Sequence, residues 1–312
     1  MKKRYVLFLL AALLSLAGCG KRNTEPAPTE GAYTFQDDVG RTVTLDAPAR
    51  VAALTGSFAD IWCLAGGEDT LVAAAGDSWT SFDLSLSDSV TNLGGIKDPD
   101  LERLFAAAPD LVLLSSNTAA QMDLLEPLEQ AGLTVACFNV TNFSEYLNML
   151  EICTALAGDA GAYDRHGLAL QRQIDAARAR DDGSAPTVLY IRATGSSCKV
   201  KNSRDTVLGE MLADLGCINI ADSNDSLLEQ LSLEEIIRSD PDYIFAVLQG
   251  ADASSAQRTL ETTLLSNPAW QSLSAVKEGR FRVLEHRLYN LKPNARWGEA
   301  YEKLADILYP AP

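Results

Sequence analysis

Two stretches of the chain concentrate positive charge without an acid among them. Arg192, Lys199, Lys201 and Arg204 fall within thirteen positions, and Arg287, Lys292 and Arg296 fall within ten. Guanidinium and ammonium groups gathered in this way bind carboxylate, phosphate or another anionic group, with Arg able to engage two oxygens at once. The alternative is a pair of solvated loops that balance acidic neighbours. Trp79 could stack on a flat ligand or serve as a loop aromatic. Tyr289 or His286 could ligate a haem iron, and the sequence does not choose between that role and a structural one.

Covalent chemistry finds less support. Ser196-Ser197-Cys198-Lys199 has the SxxK spacing in which a lysine can activate a serine, but the chain holds no KTG or SDN partner. GxGxxG, GxxxxGK and HExxH are also missing. His166 and His286 are the only histidines, so a site with three imidazole ligands cannot be built within one chain. The sequence therefore points to no enzyme, no cofactor and no metal site; a lipid-anchored hydrolase is a remote alternative.

The elements that must carry these residues alternate. Short β-rich runs at Val51–Leu54, Leu71–Ala75, Leu111–Ser115 and Val135–Asn139 are separated by helical patterns at Phe58–Leu64, Leu101–Ala107 and Ala120–Ala131. Tyr33–Leu45 has a turn at Asp38-Val39-Gly40-Arg41 between two alternating runs and predicts a β-hairpin. A helical region follows Asn142, with Ser144 as the expected N-cap and Gly158 and Gly161 dividing it. Its second piece, about 20 residues long, would span about 30 Å. Alternation resumes at Val188–Ile191, Cys217–Ile220, Tyr243–Leu248 and Phe281–Leu284. The expectation is an α/β fold of two Rossmann-like lobes with largely parallel sheets, joined by a single long backbone helix: a first lobe over 33–142, a connecting helical region over 143–185 and a second lobe over 186–312.

A repeat runs across the two lobes. Leu101-Glu102, six residues and Pro109-Asp110 before an apolar strand return as Leu233-Glu234, six residues and Pro241-Asp242 before another. Glu102 and Glu234 then hold matching positions. In open α/β sheets ligands bind beyond the carboxyl ends of the strands, which nominates Thr55, Ser57, Trp79, Ser116 and Arg192, with Tyr289, Lys292 and Arg296 further on.

The start of the chain has its own character. Lys2, Lys3 and Arg4 precede an apolar run from Tyr5 to Leu16 that ends at Leu16-Ala17-Gly18-Cys19. This run is too short to span a bilayer, which takes about 20 residues, and it has the form of a signal peptide over 1–18 with a lipobox. Cleavage before Cys19 would leave that thiol to carry a diacylglycerol, with 19–32 as a lipidated tether holding the body at the cell membrane on its extracytoplasmic face. Loss of the three cations takes the formal charge from −16 to −19. An acidic chain of 312 residues with 47% hydrophobic content fits a folded soluble body, and its charge argues against nucleic acid as a partner. Cys63, Cys137, Cys153, Cys198 and Cys217 show no CxxC spacing and are expected to be small buried hydrophobes, with room for one disulfide.

Taken together, the hairpin Asp38-Val39-Gly40-Arg41-Thr42-Val43-Thr44-Leu45, the segments from Asp98-Pro99-Asp100-Leu101-Glu102 to Pro109-Asp110 and from Leu231-Ser232-Leu233-Glu234 to Pro241-Asp242, and the ending Asn267-Pro268-Ala269-Trp270 through Ala275-Val276-Lys277-Glu278-Gly279-Arg280 resemble the substrate-binding lipoproteins of ABC importers for ferric siderophores, haem and cobalamin. The resemblance covers nearly the whole mature chain. It implies a monomer of two lobes bridged by one rigid helix, with little hinge motion. Between the lobes it would hold a small metal chelate, containing iron or cobalt and bearing anionic groups. It implies further that Glu102 and Glu234 offer carboxylates to arginines on the two halves of a permease dimer, which works with ATPase subunits; Glu235 is an equal candidate, and ordinary solvated helix residues are the alternative. A sensor or scavenger of the same fold without a transport role is the second reading.

Overall fold

The computed structural model describes residues 31–310 apart from Gln230 and Ala251. The expected signal peptide, lipobox and most of the tether, Cys19 included, lie outside the described residues. No described helix is long and apolar enough to cross a membrane.

The chain opens with an antiparallel hairpin, β1 (Tyr33–Gln36) and β2 (Thr42–Leu45), in which Tyr33 faces Leu45 and Gln36 faces Thr42. Strands β3 (Val51–Ala53), β4 (Leu71–Ala74) and β5 (Thr91–Asn92) then join the first sheet, a two-residue ribbon of β6 (Gly94–Gly95) and β7 (Asp98–Pro99) follows, and β8 (Leu111–Ser115) and β9 (Thr134–Phe138) complete it. This sheet is parallel throughout, in the order β5-β4-β3-β8-β9. The second lobe contains β10 (Thr187–Ala193), β11 (Cys198–Lys201), β12 (Ile218–Asn219), β13 (Tyr243–Leu248) and β14 (Phe281–Leu284) in the order β11-β10-β13-β14, with β12 beside the first residues of β10. All are parallel except β11, which turns back on β10. The fold is therefore α/β with largely parallel sheets. The unbroken apolar runs of β8 and β13 follow from burial on both sheet faces. Alternate residues go to separate cores: Val188, Tyr190, Phe245 and Val247 to one, Leu189, Ile191, Ile244 and Ala246 to the other.

The sequence repeat has a structural counterpart. Asp100 and Ser232 cap the helices Leu101–Ala106 and Leu233–Ser239 by accepting the N–H of Arg103 and of Glu235. Seven residues after each leading leucine the chain enters the left-handed region, at Ala108 (φ 43°) and Asp240 (φ 37°). The aspartate of each Pro-Asp pair then accepts a backbone N–H at the head of the neighbouring parallel strand. Asp110 takes Ala49 N at 3.0 Å and Asp242 takes Thr187 N at 2.8 Å. The Pro-Asp spacing thus sets strand entry in both lobes.

The connecting region differs in detail from expectation. Its first helix, Phe143–Ala157, is capped by Asn142 rather than Ser144: Asn142 Oδ1 accepts Glu145 N while the Glu145 carboxylate accepts Asn142 N, a reciprocal pair that fixes the start two residues earlier. Gly158 ends it in the left-handed conformation (φ 82°). The second piece is not a uniform rod but a π-helical turn, Asp164–Leu168, running into the helix Ala169–Arg178. Tyr146 donates its hydroxyl to His166 O within that turn at 2.8 Å. No disulfide forms among the described cysteines. Burial pushes the Cys137 thiol up to about 11 and those of Cys63 and Cys217 up to about 12, which leaves them inert at neutral pH.

One apolar core passes through both lobes. It includes Val51, Ala53, Leu111 and Phe138 under the first sheet, Tyr146, Leu150 and Ile174 on the connecting helices, and Val188, Tyr190, Phe245 and Trp297 beyond them. Phe143, Tyr146, Trp297 and Tyr301 form an aromatic chain at the seam, with successive ring centroids 5.7 to 6.4 Å apart. Gly298 lets the C-terminal helix Trp297–Leu308 lie against Ala169–Arg178, since a Cβ there would stand 1.8 Å from Gln173 Oε1. A polar bond accompanies this contact: buried Asn294, at φ 52°, donates to Ser57 O (3.0 Å) and to Asp60 Oδ2 (2.8 Å) of the first lobe. We predict that Asn294→Ala lowers unfolding free energy by about 2–3 kcal/mol in chemical denaturation, because it removes the donor to the carbonyl of buried Ser57 and to half-buried Asp60 and places a Cβ without a side-chain amide at positive φ. Asn294→Gly, which relieves only the backbone, should be the milder change.

Candidate functional site

The candidate residues lie on the loops that follow the strands of the two sheets. On the first lobe the loop after β3 is spent on structure: Thr55 caps the helix Gly56–Leu64, its hydroxyl lies 3.0 Å from Ser57 Oγ, and both residues are buried. Gly56 N donates to Asp77 Oδ1 at 2.8 Å, and a Cβ on Gly56 would meet Ser78 N at 2.6 Å, so the loops after β3 and β4 are locked together. Trp79 is half-buried against the through-going core, and Ser116 is half-buried with its N–H donated to Phe138 O. Behind them stands Gln121, fully buried, which accepts Ser115 N and donates to Leu54 O and Ile96 O. Nothing in the sequence around Gln121 distinguishes it from other helix glutamines, and only its three-way bonding reveals its role.

The second lobe carries the charge. In the antiparallel register of β10 and β11, Arg192 lies directly opposite Lys199, and Lys201 lies opposite Tyr190. Strand alternation puts Arg192, Lys199 and Lys201 on one face of this ribbon. Facing cations are unfavourable in an ordinary sheet, and here the pair is not neutralised by an acid among the described residues. Arg192 instead donates twice to Tyr190 Oη, at 3.1 and 3.2 Å, which holds the guanidinium in place. These three cations, with Thr194, Ser196, Ser197 and Gln249, line a pocket of about 430 Å³. A larger concavity of about 670 Å³, lined by Arg50, Asp69 and Arg103, sits at the opposite ends of the first-lobe strands. There the Arg50 guanidinium is already bound to the Ala107 and Ala108 carbonyls, and ligands in such sheets bind at the other end.

The second basic run divides. Lys292 is depressed, by burial first; Asp77 and Glu145 act to raise it and Arg192 to lower it. Arg287 places its guanidinium 3.9 Å from the Phe82 ring centroid and 3.7 Å from Asp60, bridging to the first lobe. Arg296 and Tyr289 do not join the pocket. Arg296 is held by Glu299 (2.6 Å) and Glu285 (3.1 Å), and Tyr289 is buried with its hydroxyl donated to Ala300 O at 3.0 Å. Neither has a free group to offer. His286 lies 2.6 Å from Leu248 O through Nδ1 and is depressed below its ordinary 6.5 by burial first, with Arg192 and Arg287 adding to the effect. It is neutral at pH 7 with Nδ1 protonated, which leaves Nε2 as an acceptor.

Glu102 and Glu234 are exposed and without an intramolecular ion pair among the described residues. The neighbouring Glu235 is instead engaged by Arg238 and by Asn224 Nδ2, which separates it from Glu234.

Residues 51–288 match the family described as periplasmic binding protein. The chain belongs to that family. Curated relatives of this binding protein include a putative ABC transporter substrate-binding lipoprotein, YhfQ, of Bacillus subtilis, 22% identical with 93% of each chain covered. They include also the Fe(3+)-citrate-binding protein YfmC of the same organism, 24% identical over 87% of this chain and 85% of the relative. Among solved structures, the vitamin B12 binding protein BtuF of Vibrio cholerae shares the fold, with a TM-score of 0.68 at 19% identity over 84% of this chain and 97% of that one. A periplasmic binding protein is a transport component and not an enzyme.

Because His286 has a depressed folded pKa, the unfolded chain binds the extra proton first as pH falls below about 6.5, and stability from this group is lost in that window. His286→Gln should therefore show a shallower loss of thermal midpoint between pH 7 and pH 5 than the parent chain.

Proposed function

We propose that this binding protein is the extracytoplasmic capture component of an ABC importer, taking an anionic ferric chelate into the groove and delivering it to a permease dimer with its ATPase subunits. The observation that carries the reading is the ribbon of β10 and β11, where Arg192 and Lys199 face each other and Lys201 stands beside them. A fold that keeps three cations on one face, with no acid set against them, is arranged for an anion from outside. Carboxylate groups on an iron chelate suit this wall, Arg192 by paired bonds and the lysines as point charges. The relative named for Fe(3+)-citrate supports the class. Haem through Tyr289 is disfavoured by the burial of that residue, and a corrinoid has no obvious use for the triad.

Lys292 and Trp79 complete the proposed ligand contacts, with Ser116 on the first-lobe side; Thr55 and Ser57 serve as the scaffold beneath. Glu102 and Glu234 present matched carboxylates, one from each lobe, to basic side chains of a two-fold permease. The protein acts as a monomer, held at the cell membrane by lipid on Cys19.

Tryptophan quenching with ferric citrate, haem and cobalamin as probes tests the ligand class. Ferric citrate should quench, and Arg192→Ala should weaken it by about tenfold or more, the loss expected of a charge-assisted contact. Unchanged affinity in Arg192→Ala and in Lys201→Ala would overturn the anionic wall. Cys19→Ala should move the protein from the membrane fraction to the soluble one, and mass spectrometry of the parent should find a diacylglycerol on its first residue.

A further inference from the structure

The two matched helices share an exposed glutamate and differ in how they place the apolar residue three positions later. In Leu101–Ala106, Leu104 is buried beside half-buried Leu101, while Glu102 and Phe105, three residues apart, both face out. Phe105 is 44% exposed. Of the other described phenylalanines, Phe35, Phe58, Phe82, Phe138, Phe143 and Phe245 are buried, and Phe281 packs edge-on against Trp270 with centroids 5.8 Å apart. Phe105 alone stands in solvent with no aromatic neighbour among the described residues. In the second lobe Glu234 and Ile237 hold the corresponding places, yet Ile237 is half-buried against that lobe's own core. The carboxylates match across the lobes and the apolar residues one turn later do not.

We propose that Phe105 is an apolar anchor of the surface that meets the permease, seated beside Glu102 in a socket with a basic rim, while the second lobe contributes the Glu234 charge with little apolar contact. The inference rests on the permease-docking reading of the two glutamates. An exposed aromatic next to an unpaired carboxylate gives the isolated protein nothing. Against a partner, the ring supplies desolvated area of the kind that dominates interface energies, and the carboxylate supplies register. The paired carboxylates are compatible with two orientations related by a half-turn on a two-fold permease. The single aromatic makes those orientations unequal, so a permease whose two halves differ receives the protein one way round.

The test titrates ATPase stimulation in vesicles holding the permease and its ATPase subunits, using the full-length lipoprotein and its Phe105→Ser, Phe105→Leu, Ile237→Ala, Glu102→Gln and Glu234→Gln variants. Phe105→Ser should raise the half-maximal concentration by about tenfold or more, with ferric citrate affinity and thermal midpoint unchanged. Phe105→Leu should recover most of the loss, and Ile237→Ala should shift docking far less. If Phe105→Ser titrates like the parent while the two glutamate variants are weakened, the anchor is wrong and the docking reading survives. If the parent stimulates nothing, or neither glutamate variant is weakened, the docking reading fails and takes the anchor with it.

Discussion

Everything in this molecule depends on the apolar core that does not stop at the lobe boundary. The inner faces of both sheets, the connecting helices and the C-terminal helix share one continuous packing, with Phe143, Tyr146, Trp297 and Tyr301 at the seam. Opening the lobes as rigid halves would expose that aromatic chain and break the bonds from Asn294 to Ser57 and Asp60. Each fully buried aromatic or aliphatic side chain returned to water costs about 1.5–3 kcal/mol, so exposing the four seam aromatics would cost about 6–12 kcal/mol, comparable to the whole binding free energy of a micromolar ligand, about 8 kcal/mol. The shared packing therefore ties the two sheets together, and on the proposed reading ligand selection falls to the side chains that line the pocket.

Charge is organised against that background. The body is acidic overall, while Arg192, Lys199 and Lys201 stand together on the β10–β11 ribbon without an ion-pair partner among the described residues. Several other arginines are tied down: Arg41 to Asp37 and the Val135 carbonyl, Arg180 to Asp306, Arg296 to Glu285 and Glu299. The same residue type thus does two kinds of work. What separates them is whether an acid lies one helical turn away or across a strand, which is visible for Arg296 and Glu299 only once the helix start is known.

Much of the fold was legible in the chain. The strands Leu111–Ser115 and Tyr243–Leu248 coincide with their apolar runs, because burial on both faces leaves no polar interruption. The repeat was legible too, since capping, a positive φ and strand entry each demand a residue type at a fixed offset. What escaped was non-local or irregular. β11 alternates Lys199 and Lys201 with Val200 and read as a charged loop. The short ribbon of β6 and β7 holds two residues a strand. Ala120–Ala131 is two helices, Ala119–Met122 and Leu125–Gln130, not one. The proposed site residues have unlike surroundings: Arg192 follows its strand end and lines the pocket, whereas Tyr289, Arg296, Thr55 and Ser57 each have an intramolecular partner, and those of Tyr289 (Ala300) and Arg296 (Glu285) lie 11 positions away in the chain.

The antiparallel course of β11 has a consequence for how such a protein can change. A loop between a strand and a helix in a parallel sheet cannot be altered without disturbing the helix it feeds. The pocket built around Thr194 to Lys201 instead belongs to a hairpin at the sheet margin, whose tip returns at once to the strand it left. Residues can be exchanged, added or removed there while the shared core and the matched helices Leu101–Ala106 and Leu233–Ser239 stay as they are. If this wall selects the ligand as proposed, selectivity is housed in a detachable part of the architecture, and a lineage can acquire a new cargo while keeping the carrier.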